Sequence, residues 1–352
     1  MIEIDGAKGE GGGQVLRTSL SLASITGQPI RIARIRAGRQ KPGLAAQHLT
    51  AVRAAAAICQ AKVRGDALGS MTLEFIPGGP VQAGDYTFDV TEAQQGGSAG
   101  AVTLVLQTIL LPLALATGDS NVTLRGGTHI SFSPSFTYIE QVYLPMLSQM
   151  GVQAEARIAA WGWYPQGGGE VQLRLSGGSE LSGLNLLERG HLLQVWGLAL
   201  VTELPSHIPQ RMASRAENLL HQANLRAVVQ PLRSRGVAPG AGIFLTAEYE
   251  NSRSGAGALG RVGLPAEKVA EIACEELLEF HKTQAPVDIH LADQLLLPAA
   301  LASEASQYRV AEISTHLTTN AWVIEQFGLA RLTVDEVDKI VAIAPLTGNC
   351  VH

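Results

Sequence analysis

The sequence predicts an α/β protein of the α+β kind, with three copies of a β-α-β-α-like unit and a smaller α/β unit inserted into the third. Three observations carry this. First, "SITGQPIRIARIRAG" (24–38) and "LATGDSNVTLRGG" (115–127) both run from the end of an apolar helix through Thr-Gly into a strand ending in Arg-x-Gly. Second, "QTILLPLALATG" (107–118) returns as "DQLLLPAALASE" (293–304), at roughly twice the first offset, laying Pro112 over Pro298. Third, each such helix is followed by a strand, a polar segment and another helix: "QHLTAVRAAAAIC", "SFTYIEQVYLPMLSQM" and "TNAWVIEQFG".

The N-terminal "MIEIDGAKGE" is charged from residue 3, so no signal peptide is expected. A chain of 352 residues, 46% of them hydrophobic, is long enough for more than one domain and apolar enough for a substantial core. The net charge of −5 excludes a global basic field, so any nucleic-acid contact must be local. Cys59, Cys274 and Cys350 are far apart and form no CxxC pair. That pattern argues against a disulfide framework or a structural zinc and predicts a reducing, cytoplasmic setting.

Next comes "GEGGGQVLR" (9–17), between a short strand and a helix. Gly11–Gly13 permit close backbone approach, and the helix start offers free amides to an anion. The segment serves equally well as a plain turn. It is no P-loop, and no GxxxxGK[ST] occurs in the chain. Glu10 sharpens the anion reading, because a carboxylate beside bound phosphate requires a divalent cation between them. Arg31, Arg34, Arg36, Arg39 and Lys41 then crowd into "RIARIRAGRQK", ahead of Gln47 and His48. They read either as the solvated face of a strand or as a phosphate clamp of guanidinium forks.

The uncharged run "GAVTLVLQTILLPLALATG" (100–118) is about the length of a membrane span. Gln107, Pro112, the flanking glycines and the lack of adjacent basic residues make it a buried core helix instead. The third unit is expected to open at "YPQGGGEVQLRL" (164–175), although its first helix waits until residue 293. Between them, "HLLQVWGLALV" and "GIFLTAEYE" read as strands, and "QRMASRAENLLHQ" and "AEKVAEIACEELLEFHK" as helices. This places an inserted small α/β domain at 181–284, within a three-repeat body of 1–180 and 285–352. "SRSGAGALG" (252–260) is expected to be a flexible connection. Finally, "STHLTTNAW" (314–322) sets His316 among threonines and an asparagine with no acidic neighbour in sequence. Thr318 or Thr319 is expected to cap a helix through Ala321–Glu325, with His316 just outside it.

"DGAKGEGGGQVLR", "IRAGRQKPGLAAQHLTAV", "LVLQTILLP", "YPQGGGEV", "LADQLLLP" and "HLTTN", in this order, resemble the RNA 3′-terminal phosphate cyclase family. The likeness spans the body and is weakest in the insert. It implies three units resembling the C-terminal domain of translation initiation factor three, plus an insert. It also implies an ATP-dependent, ligase-like nucleotidyl transfer in RNA processing. A histidine takes AMP from ATP, AMP passes to the RNA 3′-phosphate, and the 2′-hydroxyl closes a 2′,3′-cyclic phosphodiester. On this resemblance His316 is the nucleophile, a role that suits a neutral imidazole. Glu10 is the ligand of a divalent metal, Mg or Mn. Arg36, Arg39, Gln47 and His48 hold the RNA phosphate. Arg17, Gln107, Pro134, His290, Asp293 and Gln294 surround ATP. Many relatives carry a tyrosine where His290 stands, which reduces the area available to stack on a purine. RNA with a 3′-terminal phosphate and ATP are the expected partners, with no membrane. Two other readings share the architecture: a noncatalytic cyclase-like RNA-binding protein of ribosome assembly, which would lack the histidine, and an enolpyruvyl transferase, disfavoured by "HLTTN".

Overall fold

The computed structural model describes residues 1–93 and 100–346; Cys350 and His352 lie outside the described residues. The first unit runs β1 (Ile2–Asp5), α1 (Gly13–Thr26), β2 (Ile30–Ala33), α2 (Ala46–Cys59), β3 (Lys62–Arg64) and β4 (Leu73–Ile76). Its sheet has the order β1-β2-β4-β3, with β1 and β2 parallel and β4 antiparallel to both its neighbours. Helix α1 is unusually rich in buried hydroxyls. Ser19, Ser21 and Ser24 each donate to the carbonyl one turn back, so the helix satisfies them internally.

The second unit is β5 (Asp85–Asp89), α3 (Val102–Leu115), β6 (Ser120–Gly126), α4 (Phe136–Tyr138), a π turn at Ile139–Tyr143, α5 (Leu144–Gln149), β7 (Ala154–Ala160) and β8 (Gly169–Leu175). Its order, β5-β6-β8-β7, repeats that of the first. Helix α3 is the apolar run read from the sequence and is buried nearly throughout. Among the described residues, no helix is long and apolar enough to cross a membrane.

One expectation is corrected here. The strand in "YPQGGGEVQLRL" is β8, which pairs with β6 and β7 and so closes the second sheet instead of opening the third. The third unit opens at β9 (Asn185–Leu186), inside the segment expected to belong wholly to the insertion. A two-residue strand carries no periodicity by which to find it.

The chain then leaves for the insertion: β10 (Leu192–Thr202), α6 (His207–Gln222), β11 (Ala227–Ser234), β12 (Gly240–Tyr249), β13 (Arg253–Leu259) and α7 (Ala266–Thr283), in a sheet ordered β11-β10-β12-β13. Strand β13 corrects a second expectation, since it is the "SRSGAGALG" segment. Its glycines mask it by propensity, but they let the rings of Tyr138 and Phe244 lie against its backbone, and packing decides.

The third unit resumes with α8 (Ile289–Gln294), α9 (Leu296–Leu301), β14 (Ser306–Arg309), α10 (Thr315–Gln326), β15 (Ala330–Asp335) and β16 (Ile340–Pro345). Its sheet, β9-β14-β16-β15, has the same order of first, second, fourth and third strand. The repeating unit is therefore β-α-β-α-β-β, two strands longer than the sequence suggested. One apolar core passes through all three units, from Ile4 to Ile343. The insertion has its own core between its sheet and α6 and α7, built on Met212, Leu220, Val269 and Leu277. Trp163 packs with Leu200 and Phe244 where the two bodies meet. In the body, α1 packs against both α3 and α10, which brings one helix of each unit together.

Candidate active site

His316 sits in the first turn of α10, and Ser314 caps that helix by accepting the Leu317 N–H at 3.1 Å. The cap is thus one turn earlier than Thr318 or Thr319, and His316 is inside the helix. Its surroundings also differ from the uncharged pocket expected. The Glu10 carboxylate, from the loop between β1 and α1, lies 3.5 Å from His316 Nδ1. That loop is pinned to α10, because the Glu10 N–H donates to Thr319 Oγ1 at 3.0 Å. Gly9, at φ 60, must be glycine for this, since a Cβ there would collide with the Thr319 hydroxyl. Arg39 closes the group from the other side with an ion pair to the Glu10 carboxylate.

The polar residues expected around the imidazole have other partners. Thr318 Oγ1 donates to the Thr315 carbonyl. Asn320 is buried, accepting from Thr18 Oγ1 at 2.6 Å and donating to the Asp293 carbonyl at 2.7 Å. Asn320 and Thr18 brace α10 against α1 and α8, a role that sequence reasoning missed. Buried polar residues on otherwise apolar helices were the available signal.

The basic cluster divides. Arg31 pairs with Glu3 and Glu74, and Arg34 with Asp5, on the outer surface. They belong to the solvated face, whereas Arg39 reaches Glu10 and Arg36 lies close enough to His48 to bear on its charge. Arg36 is half-buried and donates to the Gly43 carbonyl at 2.8 Å. His48 is buried in the first turn of α2, where its Nδ1 accepts the Ala45 N–H at 3.1 Å, supplying one half of a capping box. The proton is therefore on Nε2, which faces Gly13 and the Arg17 guanidinium. A Cβ on Gly13 would strike His48 Nε2 and come within 2.8 Å of Arg17 Nη1, so glycine at the start of α1 keeps this space open. Gln47, also in that turn, reaches the Ala101 N–H at the base of α3, at 3.4 Å.

Arg17, Gln107, Asp293 and Gln294 line one small cavity together with Tyr143 and Asn320. Pro134 and His290 are not in that lining. The Pro134 carbonyl accepts from Thr103 Oγ1 at 2.8 Å, at the start of α3. The His290 ring meets Tyr138 edge-on, and its Nε2 lies 3.1 Å from Glu276 of α7. His290 thus faces the insertion.

Burial drives the electrostatics. It lowers His316 below the ordinary histidine range, with Asp293 opposing and Arg17, Arg39 and His290 reinforcing. It raises the Asp293 carboxyl to about 6, against the pull of His316, Arg17 and His290. It lowers His48 to about 3, helped by Arg17 and Arg36, and Arg17 itself to about 10, opposed by Asp293. At neutral pH the imidazoles of His316 and His48 are uncharged, one half-exposed and one enclosed. A half-exposed neutral imidazole beside a carboxylate, ringed by arginines, can attack an electrophilic phosphorus whose oxygens the arginines hold.

Among the described residues, no cluster of three His, Cys, Asp or Glu forms a metal cage. One oxygen, Glu10 Oε2, is nevertheless buried without a hydrogen-bond partner. It is the oxygen that faces His316, while Oε1 pairs with Arg39; a single carboxylate oxygen fits Mg²⁺, which keeps most of its waters and takes its remaining ligands from phosphates.

A family profile described as RNA 3′-terminal phosphate cyclase matches residues 8–334. Three relatives of that name show the range of similarity. The one from Nostoc punctiforme is 73% identical over 99% of this chain and all of its own length. The one from Methylococcus capsulatus is 54% identical over 99% of this chain and 97% of its own. The one from Salmonella typhimurium is 42% identical over 96% of this chain and 97% of its own. With a match of this extent and identity, the chain belongs to the RNA 3′-terminal phosphate cyclase family.

Proposed function

We propose that this chain converts an RNA 3′-terminal phosphate to a 2′,3′-cyclic phosphodiester at the expense of ATP, through covalent AMP on His316. The observation that carries the reading is the pairing of His316 with Glu10 at 3.5 Å through Nδ1. With Nδ1 turned to a carboxylate, Nε2 is the nitrogen left to react. It attacks the α-phosphorus of ATP, a P–N bond forms, the bond to the bridging oxygen breaks, and pyrophosphate leaves. Glu10 stabilises the positive charge that grows on the ring. An oxygen of the RNA 3′-phosphate then takes AMP from His316, which breaks the P–N bond and returns the neutral imidazole. Last, the 2′-hydroxyl loses its proton and attacks the activated 3′-phosphorus, and AMP departs.

In this reading Arg36, Arg39, Gln47 and the Nε2–H of His48 hold the RNA phosphate, while Arg17, Gln107, Asp293 and Gln294 hold the nucleotide. Pro134 and His290 stand at the margin of the nucleotide site. A divalent cation, Mg²⁺ or Mn²⁺, would be held by Glu10 and would neutralise polyphosphate charge. The buried, unpaired thiols of Cys59 and Cys274 support a reducing, cytoplasmic setting. The test is incubation with ATP labelled at the α-phosphate. Label should stay on the protein, resist mild alkali and leave in acid, as a phosphoramidate does. A protein that never retains label is not acting through a histidine adduct.

A further inference from the structure

Asp288, just before α8, is almost completely buried, and both of its carboxylate oxygens are used. Oδ1 accepts three hydrogen bonds: the His290 N–H at 2.9 Å, the Leu291 N–H at 2.8 Å and the Tyr138 hydroxyl at 2.7 Å. Oδ2 accepts one, the Gly255 N–H at 3.2 Å. These donors come from three different parts of the molecule. His290 and Leu291 open α8, the helix that carries Asp293 and Gln294. Tyr138 belongs to the second unit, and Gly255 lies in β13, in the sheet of the insertion.

The approach at Gly255 is close. A Cβ there would stand 2.8 Å from the Tyr138 ring and 3.0 Å from Val142. The junction therefore needs a bare backbone on one side and a carboxylate on the other. Two further links join the insertion to the body. His290 faces Glu276, and Arg253 Nη1 donates to the Gln141 carbonyl at 3.3 Å. The Arg253 link does not involve α8.

We propose that Asp288 is a positioning residue that couples docking of the inserted unit to the nucleotide site, and that the insertion acts by fixing α8 in place. The inference rests on the reading of Asp293 and Gln294 as ATP contacts. One carboxylate caps α8 and binds β13 together, so α8 takes its set from where the insertion sits. Asp293 and Gln294 stand in the second turn of the short helix that Asp288 caps, and Asn320 carries the same constraint on to α10 through the Asp293 carbonyl. Displacing two groups that contact a bound nucleotide weakens the hydrogen bonds they make to it, a loss that is read as affinity.

Two variants approach the junction from opposite sides. Asp288→Asn leaves an oxygen for the three donors at Oδ1 but sets an amide N–H₂ against the Gly255 N–H, donor against donor. Gly255→Ala leaves Asp288 intact and pushes β13 off Tyr138. Arg253→Ala cuts the link to Gln141, which does not involve α8, and serves as the control. The readout is covalent labelling by α-labelled ATP, resolved into apparent KM and maximal rate, with the melting temperature of each protein alongside. Both junction variants should raise the KM for ATP about ten-fold, with a much smaller change in maximal rate, while Arg253→Ala leaves KM within about two-fold. Three results overturn the proposal. A KM unchanged in Asp288→Asn removes the coupling. An effect of Asp288→Asn not shared by Gly255→Ala reduces Asp288 to a simple helix cap. Equal losses in all three variants, tracking the melting temperatures, mean general loosening. Should the parent protein take no label at all, ATP binding by the same variants is followed calorimetrically, and the same three results apply to Kd.

Discussion

Glu10→Gln isolates the charge that the structure sets beside His316. Glutamine keeps the size and planarity of the side chain, so the loop stays pinned through the Glu10 N–H to Thr319. Full unit charges 3.5 Å apart interact by about 4.7 kcal/mol at an effective dielectric constant of ~20. That figure is a ceiling, for two reasons. The His316 side chain is 53% exposed, and Arg39 shares the carboxylate. Screening and sharing correspond to an effective dielectric constant of ~30–60, which brings the contribution down to about 1.5–3 kcal/mol. Since the imidazole is neutral before attack and cationic after it, this is lost from the barrier rather than from binding. Covalent labelling by α-labelled ATP should therefore slow roughly ten- to 150-fold at saturating ATP and saturating Mg²⁺. The assay is a single-turnover time course at pH 7.5, read as protein-bound label. A rate within about two-fold of the parent would refute the reasoning. Excess Mg²⁺ that restores the variant would move the role of Glu10 from the ring to the cation.

His316→Ala and His316→Asn should both abolish labelling with little change in melting temperature, because the imidazole is half-exposed and the cap rests on Ser314; label persisting on either variant would move the nucleophile elsewhere, with His48 next to be tested. Arg36→Ala should raise the KM for RNA 3′-phosphate about ten- to 100-fold and leave labelling by ATP intact, and parental RNA kinetics would return Arg36 to its loop-bracing bond with Gly43. Buried His48 and His129 both titrate near 3, below their unfolded values near 6.5. Between these limits the unfolded chain binds protons that the folded chain refuses, so stability falls as pH falls, by about 2 kcal/mol for each residue from pH 7 to 5. Denaturant midpoints at pH 7 and pH 5 measure this, and a His129→Asn variant should show a shallower fall than the parent.

What the sequence made legible was whatever leaves a periodic or compositional trace. The repeated Thr-Gly to Arg-x-Gly passages located two of the units, and the apolar run around Leu110 announced a buried helix. Strand β9 left no trace because two residues have no period, and β13 hid behind glycines whose value lies in what packs on them. At the site, "HLTTN" pointed to His316 but not to its neighbour. Glu10 comes to His316 only because Thr319 holds its backbone, and a contact between the two ends of a chain is invisible to local reasoning. Likewise, nothing in "RIARIRAGRQK" separates Arg31 and Arg34 from Arg36 and Arg39. Their partners Glu3, Asp5 and Glu74 are supplied by strand pairing.

The hydrogen bond from Glu10 to Thr319 joins residues 309 apart. Closing so long a loop costs chain entropy that nearby contacts do not, so folding meets such contacts late. During synthesis the arginines, His48 and the whole second unit are made well before α10 leaves the ribosome, at ~5–20 residues per second. On the proposed mechanism, a growing chain has the groups assigned to the phosphate before it has the histidine assigned to attack it. Glu10 meets His316 only when the third unit closes onto the first, so the proposed mechanism makes chemical competence a readout of completed folding.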